Sequence, residues 1–384
     1  MRPSLMDIID LCTINGCLDV VMASSAPSRM AEMAGGRGGR VAVIGASGYG
    51  GLQTIRLLQG HPSLSVTFLG GERSAGQRWS SVCSFLPLPD DPLVESADPD
   101  RIAAAADYAV LSLPNGLACQ LAPKLLKRGV RVVDLSADFR YRSLEQWSQV
   151  YAQEAKRLSR EDSDLCRTAV YGLPEWHGPA IAEAQLVAAP GCFPTASLLP
   201  LLPFLKQGLI DTDGIIVDAK TGTSGVGRVP KEAMLLAEAS ESIAPYGVIG
   251  HRHTSEIEQM AEEVAGQTVQ LQFTPHLVPM TRGLLVTIYC RGSASTAQCL
   301  DAAREFYADR PFVRVTDRPP QTKWASGSNL SFMSYAADPD RNLVIAMGVV
   351  DNLGKGAAGH AVQNANLISG LPETAGLEGA PVWP

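Results

Sequence analysis

The chain has 384 residues, of which 46% are hydrophobic and 18% are charged, and its formal net charge is -7. This length exceeds what one hydrophobic core usually supports, so it predicts two domains. The acidic balance argues against a general surface for nucleic acid or anionic membrane, and no apolar run approaches the length of a membrane span. We therefore expect a cytoplasmic protein with neither a nucleic-acid nor a membrane partner.

The eight cysteines are scattered along the chain without a CxxC pair. No group of His and Cys residues has the spacing of a zinc site, so no metal is expected. Unpaired cysteines of this kind are typical of a reducing compartment.

Residues 1–38 form a weakly apolar stretch followed by a passage rich in Ser, Ala, Met and Gly. The segment lacks the basic start and clean apolar centre of a signal peptide, and Asp7, Asp10 and Asp19 argue against a transit peptide. We predict that this segment is disordered or an extension outside the fold.

The first regular elements are an apolar run at 40–44, a glycine-rich turn at 45–51 (GASGYGG) and a helix that starts near Tyr49. Such a turn lets the backbone approach a pyrophosphate, and the free amides of the helix receive its charge. The predicted cofactor contacts here are Gly45, Ser47, Gly48, Tyr49 and Gly50. Because the spacing is GxxGxxG and not the commoner GxGxxG, a plain strand-to-helix connection is the alternative.

The next predicted strand, 65–70, leads to Arg73 and Ser74, where the adenosine ribose would be bound. An acidic residue there would accept from the 2′-hydroxyl of NAD, whereas Arg suits the 2′-phosphate of NADP. Arg73 and Ser74 are therefore predicted cofactor contacts, and NADP(H) is favoured although Glu72 adjoins them.

Helices and strands continue to alternate up to residue 135, which predicts an α/β, Rossmann-type doubly wound nucleotide-binding domain. Asp134, Asp138 and Arg140 follow a strand end, and ligands bind at that edge of such a sheet. Surface pairing among these charges is the alternative.

Cys192 follows an apolar run at 187–189 and the turn Pro190-Gly191, and it opens a Leu-rich helix. A thiol at a helix start feels the positive end of the helix dipole, which lowers its pKa and favours a nucleophile. The alternative is a cysteine that packs as a small hydrophobic residue.

After residue 206, strands at 215–219, 269–274, 284–291 and 343–350 alternate with long helices. This order predicts a second, α+β domain with a mainly antiparallel sheet. The loop 220–228 carries Lys220 and Arg228, which join Arg140 as candidates for binding a substrate carboxylate or phosphate. A solvated surface loop is the alternative.

His251 and His253 lie before an amphipathic helix, with Glu256 one turn further on. Either imidazole suits proton transfer, and Glu256 is a possible orienter of His253. The sequence does not separate the two histidines. His276 is expected to be a hydrogen-bonded structural histidine.

A helix of small residues at 356–367 follows Asn352, a further predicted cofactor contact. Its small face suits packing back over the cofactor cleft, so the first domain is predicted to be discontinuous. The predicted division is an extension at 1–38, an NADP-binding domain at 39–191 and 352–372, a catalytic, substrate and oligomerisation domain at 192–351, and a tail at 373–384.

Eight segments, taken together and in order, resemble the N-acetyl-gamma-glutamyl-phosphate reductase family over about residues 40–370. They are GASGYGG (45–51), DLSADFR (134–140), YGLPE (171–175), APGCFPTA (189–196), DAKTGTSGVGR (218–228), HRHTSEI (251–257), FTPHLVPMTRG (273–283) and GAAGHAVQN (356–364). Asn115 and His360 depart from the His and Gln common in that family. Gly191 stands where the related aspartate-semialdehyde dehydrogenases carry Asn or Ser.

The resemblance implies an NADP-dependent enzyme of arginine biosynthesis, assembled as a homodimer or homotetramer. In it the Cys192 thiolate attacks an acyl phosphate, hydride reduces the thioester, and His253 acts as acid/base with His251 as its rival. A related semialdehyde dehydrogenase of lysine or aspartate-family biosynthesis and a catalytically silent NADP-binding sensor are the alternatives.

Overall fold

The computed structural model describes residues 38–158, 160 and 162–382. The predicted extension lies outside the described residues except for Gly38. No helix within the described ranges is long and apolar enough to cross a membrane.

The first sheet has six strands, all parallel, in the order β2-β1-β3-β4-β6-β5. Parallel strands are covered on both faces, which is why these segments are apolar without alternation. The strands are β1 (Gly39–Ile44), β2 (Leu64–Gly70), β3 (Tyr108–Leu111), β4 (Arg131–Asp134), β5 (Val170–Tyr171) and β6 (Leu186–Ala188). The edge strand β5 was not predicted, because two residues carry no periodic signal.

Helices lie on both faces of this sheet, as the prediction of a doubly wound fold requires. They are α1 (Tyr49–Gln59), α2 (Trp79–Val82), α3 (Pro99–Ala105), α4 (Ala118–Leu126), α5 (Leu144–Val150), α6 (Ala152–Ala155), α7 (Ser163–Thr168) and α8 (Pro174–Glu183), with a 3-10 turn at Glu72–Ser74. One face packs against α1 and the C-terminal helix, and the other packs against α3 and α4.

The second sheet has seven strands in the order β11-β12-β13-β10-β7-β9-β8. They are β7 (Ile215–Thr221), β8 (Ala244–Pro245), β9 (Leu271–Leu277), β10 (Leu284–Arg291), β11 (Val313–Val315), β12 (Ser331–Asp338) and β13 (Leu343–Val350). Pairing is antiparallel except for β7 with β9 and β11 with β12. The predicted mainly antiparallel sheet is confirmed.

The remaining helices are α9 (Cys192–Gln207), α10 (Leu236–Ala239), α11 (His253–Ala265), α12 (Thr296–Phe306), α13 (Thr322–Ala325) and α14 (Gly359–Ile368). Short 3-10 turns lie at Thr223–Val226, Glu232–Met234 and Pro339–Arg341, and a π-helical turn lies at Gly354–Ala358. One face of the second sheet packs against α9, α11 and α12. The other face is partly open, with Ile216 and Tyr289 exposed.

The chain passes from the first sheet to the second at Cys192, between β6 and α9. It returns after β13 through the π-helical turn, and α14 then packs on the first sheet. The two segments that connect the sheets lie close together: a Cβ atom on Gly356 would be 2.9 Å from the Cβ of Cys192. The fold therefore places Cys192 where the two sheets meet.

Candidate active site

Cys192 is the first residue of α9 and is half-buried, whereas the other five described cysteines are buried. It lines a cavity of about 150 Å³. Gly191, the residue before it, supplies no capping side chain, so the first amides of the helix face the thiol region uncapped. The site is thus a cysteine at an open helix start beside a small cavity.

Burial raises the pKa of the Cys192 thiol to about 11. The backbone amide of Phe193 and the charge of Arg140 act in the opposite direction, but they do not outweigh burial. The prediction that the helix start gives this cysteine a lowered pKa is therefore wrong for the ligand-free protein. The thiol is protonated near neutral pH, so its attack on a substrate requires a proton acceptor.

His251 and His253 line the same cavity as Cys192. Their ring centroids are 5.0 Å apart, and each ring lies 6.0 Å from the ring of Phe193. Burial lowers the pKa of His251 to about 4 and lowers that of His253 well below its ordinary value. Both imidazoles are therefore neutral near pH 7, in the form that accepts a proton.

The two histidines differ in their surroundings. The backbone amide of His253 donates to Nδ1 of His251 at 3.2 Å, so neutral His251 carries its proton on Nε2. Nε2 of His253 lies next to Gly191, since a Cβ atom there would be 2.8 Å away. His253 is thus the histidine that contacts the turn carrying the cysteine.

Glu256 is fully buried and does not orient His253. Its Oε1 accepts from the hydroxyl of Tyr171 and the amide of Gly191, both at 2.9 Å, and its Oε2 accepts from Arg140 at 3.1 Å. Nδ1 of His253 has no partner among the described residues. The prediction that Glu256 orients His253 is wrong. A buried carboxylate needs a cation and hydrogen-bond donors, and Glu256 has these in Arg140, Tyr171 and the amide of Gly191.

Arg140 is buried, and its guanidinium binds protein groups. Its Nε donates to the carbonyl of Ala189 and its Nη2 to that of Leu135, both at 2.9 Å, while Nη1 binds Glu256. The side chain therefore joins the ends of β4 and β6 to α11. It is not among the residues that line the Cys192 cavity.

Lys220 points away from the cavity. Its Nζ lies 2.5 Å from Asp218, whose other oxygen is 3.2 Å from Nδ1 of His276. Neighbouring residues of a strand point to opposite faces, and it is Thr221 that lines the cavity. Lys220 does not line this cavity, so its contact with a substrate stays a prediction, while His276 is hydrogen-bonded to the carbonyl of Ala219 as expected.

Arg228 lies at the glycine-rich turn. Its Nη1 donates to the carbonyl of Ser47 at 2.8 Å, which brings a cation to the start of α1. Arg228 does not line the Cys192 cavity, so its predicted contact with a substrate carboxylate or phosphate stays a prediction.

The glycine-rich turn fits a nucleotide pyrophosphate. Gly45 has φ of 84°, and a Cβ atom there would lie 2.1 Å from the carbonyl oxygen of Ser112, so only glycine can occupy the position. Helix α1 starts after Gly48 without a side-chain cap, which leaves its first amides available to an anion. The predicted residues 45–50 thus form a cradle with the donors that a phosphate group needs.

Arg73 is exposed beyond the end of β2, whereas Ser74 is buried. Glu72 accepts from the backbone amide of Ala97 at 3.1 Å, so one of its carboxylate oxygens is already engaged. Asn352 is buried, and its amide binds Gly283 and Thr221. Arg73 is therefore an exposed cation beyond β2, while Asn352 joins the end of β7 to the loop before β10.

Several residues that line the cavity were not among the predicted site residues, and those with a charged or phenolic side chain are Lys231, Tyr246 and Arg252. Arg252 stands between the two histidines, which was the available signal. Lys231 gives no such signal, because it lies outside the motifs, in the loop that follows the segment 218–228. These residues supply two cations next to Cys192.

The two departures from the family pattern lie outside the Cys192 cavity. Asn115 accepts from the amide of Ala137 at 3.0 Å, and His360 is fully buried in α14.

The profile of the semialdehyde dehydrogenase NAD binding domain matches residues 40–184. The profile of the semialdehyde dehydrogenase dimerisation domain matches residues 192–352. The chain is 75% identical over 350 residues to the N-acetyl-gamma-glutamyl-phosphate reductase of Parasynechococcus marenigrum (strain WH8102), covering 90% of this chain and 98% of that one. The reductase of the same name from Prochlorococcus marinus (strain MIT 9313) is 67% identical, covering 89% and 97%.

Solved structures share the fold. Aspartate semialdehyde dehydrogenase with NADP from Candida albicans has a TM-score of 0.66 at 17% identity, covering 86% of this chain and 98% of that one. Aspartate semialdehyde dehydrogenase II complexed with ASA from Vibrio cholerae has a TM-score of 0.65 at 18% identity, with the same coverage.

Proposed function

The chain belongs to the N-acetyl-gamma-glutamyl-phosphate reductase family, and from this premise we propose that it reduces N-acetyl-L-glutamyl 5-phosphate to N-acetyl-L-glutamate 5-semialdehyde and phosphate, in arginine biosynthesis. The observation that carries this proposal is the cavity in which Cys192 stands with two neutral histidines, next to a nucleotide-binding sheet. A protein that only binds a nucleotide has no need of a nucleophile beside a proton acceptor.

The cofactor of this reaction is NADPH, which supplies a hydride to the substrate carbon when bound. We propose that the turn at 45–51 and Arg228 hold its pyrophosphate, and that Arg73 and Ser74 hold its 2′-phosphate. Support comes from the uncapped start of α1, the contact between Arg228 and Ser47, and the engagement of Glu72 by Ala97. Asn352, whose side-chain amide joins Gly283 to Thr221, is a further proposed cofactor contact.

The chemistry of the protein centres on Cys192. Its sulfur forms a bond to the acyl carbon, and phosphate departs with the electrons of the broken C–O bond, leaving a thioester. His253 takes the thiol proton as the bond forms. Addition of hydride to the thioester would leave a tetrahedral hemithioacetal, whose oxygen the protonated His253 stabilises by a hydrogen bond. The C–S bond then breaks with its electrons on sulfur, which gives the aldehyde and a thiolate that takes its proton back from His253.

The substrate carries a carboxylate and a phosphate, and an acidic protein must bind such anions through local cations. Arg252 and Lys231 line the cavity beside Cys192 and are the candidates for these groups. Arg140 donates hydrogen bonds to the carbonyls of Leu135 and Ala189 and does not line the cavity, so it contributes only its charge.

The dimerisation-domain match supports an oligomer. We propose a homodimer or homotetramer that uses the partly open face of the second sheet, where Ile216 and Tyr289 are exposed. Residues 39–191 with 352–372 form the NADP-binding domain in this proposal, and 192–351 form the catalytic domain. The described cysteines are unpaired, in keeping with the cytoplasm as the compartment.

Phosphate-dependent reduction of NADP⁺ by the purified protein tests the function. N-acetylglutamate semialdehyde should support the reaction, whereas the unacetylated and aspartate semialdehydes should not. A preference for aspartate semialdehyde would favour the aspartate-family alternative, and tight nucleotide binding without any turnover would favour a sensor.

A further inference from the structure

The segment YGLPE (171–175) is one of the motifs of the chain, yet it lies in neither the glycine-rich turn nor the cavity wall. Tyr171 ends the edge strand β5, and Glu175 lies in the first turn of α8. Both side chains are buried, with exposed fractions of 7% and 2%. Buried polar side chains are retained where they have specific partners, so the partners indicate what this segment does.

The first partner of the segment is Glu256. The hydroxyl of Tyr171 donates to Oε1 of Glu256 at 2.9 Å, and the same oxygen accepts from the amide of Gly191 at 2.9 Å. Gly191 is covalently joined to Cys192. Tyr171 thus acts, through one carboxylate oxygen, on the turn that carries the thiol.

The second partner is Lys355, which leads to Cys192 by a separate route through the π-helical turn. Glu175 accepts from Nζ of Lys355 at 2.6 Å, and Lys355 also donates to Gln363 at 2.6 Å. Lys355 is fully buried in the π-helical turn, and a buried cation of this kind is held where its carboxylate partner lies. The next residue of this turn, Gly356, contacts Cys192 so closely that a Cβ atom there would lie 2.9 Å from the cysteine Cβ.

We propose that the segment 171–175 is a two-sided positioning element for Cys192, in which Tyr171 acts through Glu256 and Gly191, and Glu175 acts through Lys355 and the π-helical turn. This inference rests on the proposed role of Cys192 as the nucleophile. Neither Tyr171 nor Glu175 lines the Cys192 cavity, so both are positioning residues. The arrangement explains why one short segment carries two buried polar side chains four residues apart.

The test uses two variants of the full chain and a matched control. Tyr171→Phe removes the hydroxyl on one side. The double variant Glu175→Gln, Lys355→Met replaces the buried ion pair with neutral groups and leaves no charge unpaired. Tyr335→Phe is the control, because it removes a buried hydroxyl that donates to the carbonyl of Pro200 in the second-sheet core.

Two readouts are taken on each variant: kcat and KM for the phosphate-dependent reaction, and the rate at which iodoacetamide alkylates Cys192, followed by peptide mass. Alkylation does not depend on any substrate, so it separates failure of this inference from failure of the proposed function. We expect both test variants to lose about tenfold or more in kcat with little change in KM, since only the geometry of attack is disturbed. We expect alkylation of Cys192 to become faster, because a less well ordered turn at Gly191 or a less well ordered π-helical turn would make the thiol more accessible to iodoacetamide.

Variants that remain folded by circular dichroism and match Tyr335→Phe in both readouts would overturn the inference. An effect confined to one of the two test variants would contradict a two-sided element. Glu175→Asp keeps the charge but shortens the reach to Lys355, and it tests the same side in place of a double variant that does not fold.

Discussion

Nε2 of His253 lies beside Gly191, where a Cβ atom on residue 191 would approach it to 2.8 Å. This Cβ atom on residue 191 would also lie 3.0 Å from Nη1 of Arg140. The φ of Gly191 is -66°, which any residue can adopt, so its backbone conformation does not require glycine. Glycine is required here because a side chain has no space. The absence of a side chain lets the imidazole approach the turn that carries Cys192.

Gly191→Ala should displace His253 or Arg140 and lower kcat by about 10²-fold, because a shift of roughly 1 Å in a catalytic group has that effect. Steady-state kinetics on the folded variant checks this. Gly60→Ala is the matched control, since no atom lies within 4 Å of a Cβ there, and it should behave like the wild type. Full activity of Gly191→Ala would show that the close approach has no catalytic role.

The two histidines can be separated by single replacements. His253→Asn should lower kcat by about 10²-fold or more and change the pH profile, because it removes the proposed acid/base. His251→Asn should have the smaller effect, since its Nδ1 serves the backbone amide of His253. The reverse order of effects in kcat and pH profile would transfer the role to His251.

The raised pKa of Cys192, about 11, makes a prediction for the ligand-free protein. The thiolate fraction increases as pH rises towards the pKa, so alkylation of Cys192 by iodoacetamide should accelerate about tenfold per pH unit between roughly pH 7 and 10. Peptide mass identifies the modified cysteine. A rate that is already constant below about pH 8 would mean that the helix start stabilises the thiolate after all.

The site illustrates what local sequence can and cannot reveal. The glycine turn, Cys192 and the two histidines were predictable because each lies in a contiguous pattern whose chemistry is local. The hydrogen-bond partners of Glu256 were not predictable, because Arg140 and Tyr171 are 116 and 85 residues away in the sequence. Strand parity explains why Thr221 and not Lys220 lines the cavity: β7 has polar residues on both faces near its end, so sequence alone does not show which residue faces the cavity.

Two other features depended on tertiary context. The helix start predicted a lowered thiol pKa, and burial reversed the sign. Edge strand β5 is too short for a periodic signal, yet it carries Tyr171 to Glu256. The alternation of helices and strands, in contrast, predicted both sheets because the order of elements along a chain restricts the topology strongly.

Arg73→Ala tests the preference for NADP(H). Loss of a charged hydrogen bond to the 2′-phosphate should raise KM for NADPH by about 10- to 100-fold and leave KM for NADH unchanged. Arg341→Ala, at an exposed arginine of the second-sheet region, is the control. Equal effects of Arg73→Ala on both nucleotides would place the 2′-phosphate elsewhere.

The most direct measurement of the central claim is phosphate release on mixing the protein with N-acetylglutamyl phosphate in the absence of NADPH. The wild type should give a rapid burst of about one phosphate per chain together with an acyl adduct on Cys192, because the thioester forms before hydride transfer. Cys192→Ser should still bind NADP⁺ but show neither burst nor turnover. A burst or turnover that survives in Cys192→Ser would contradict the account.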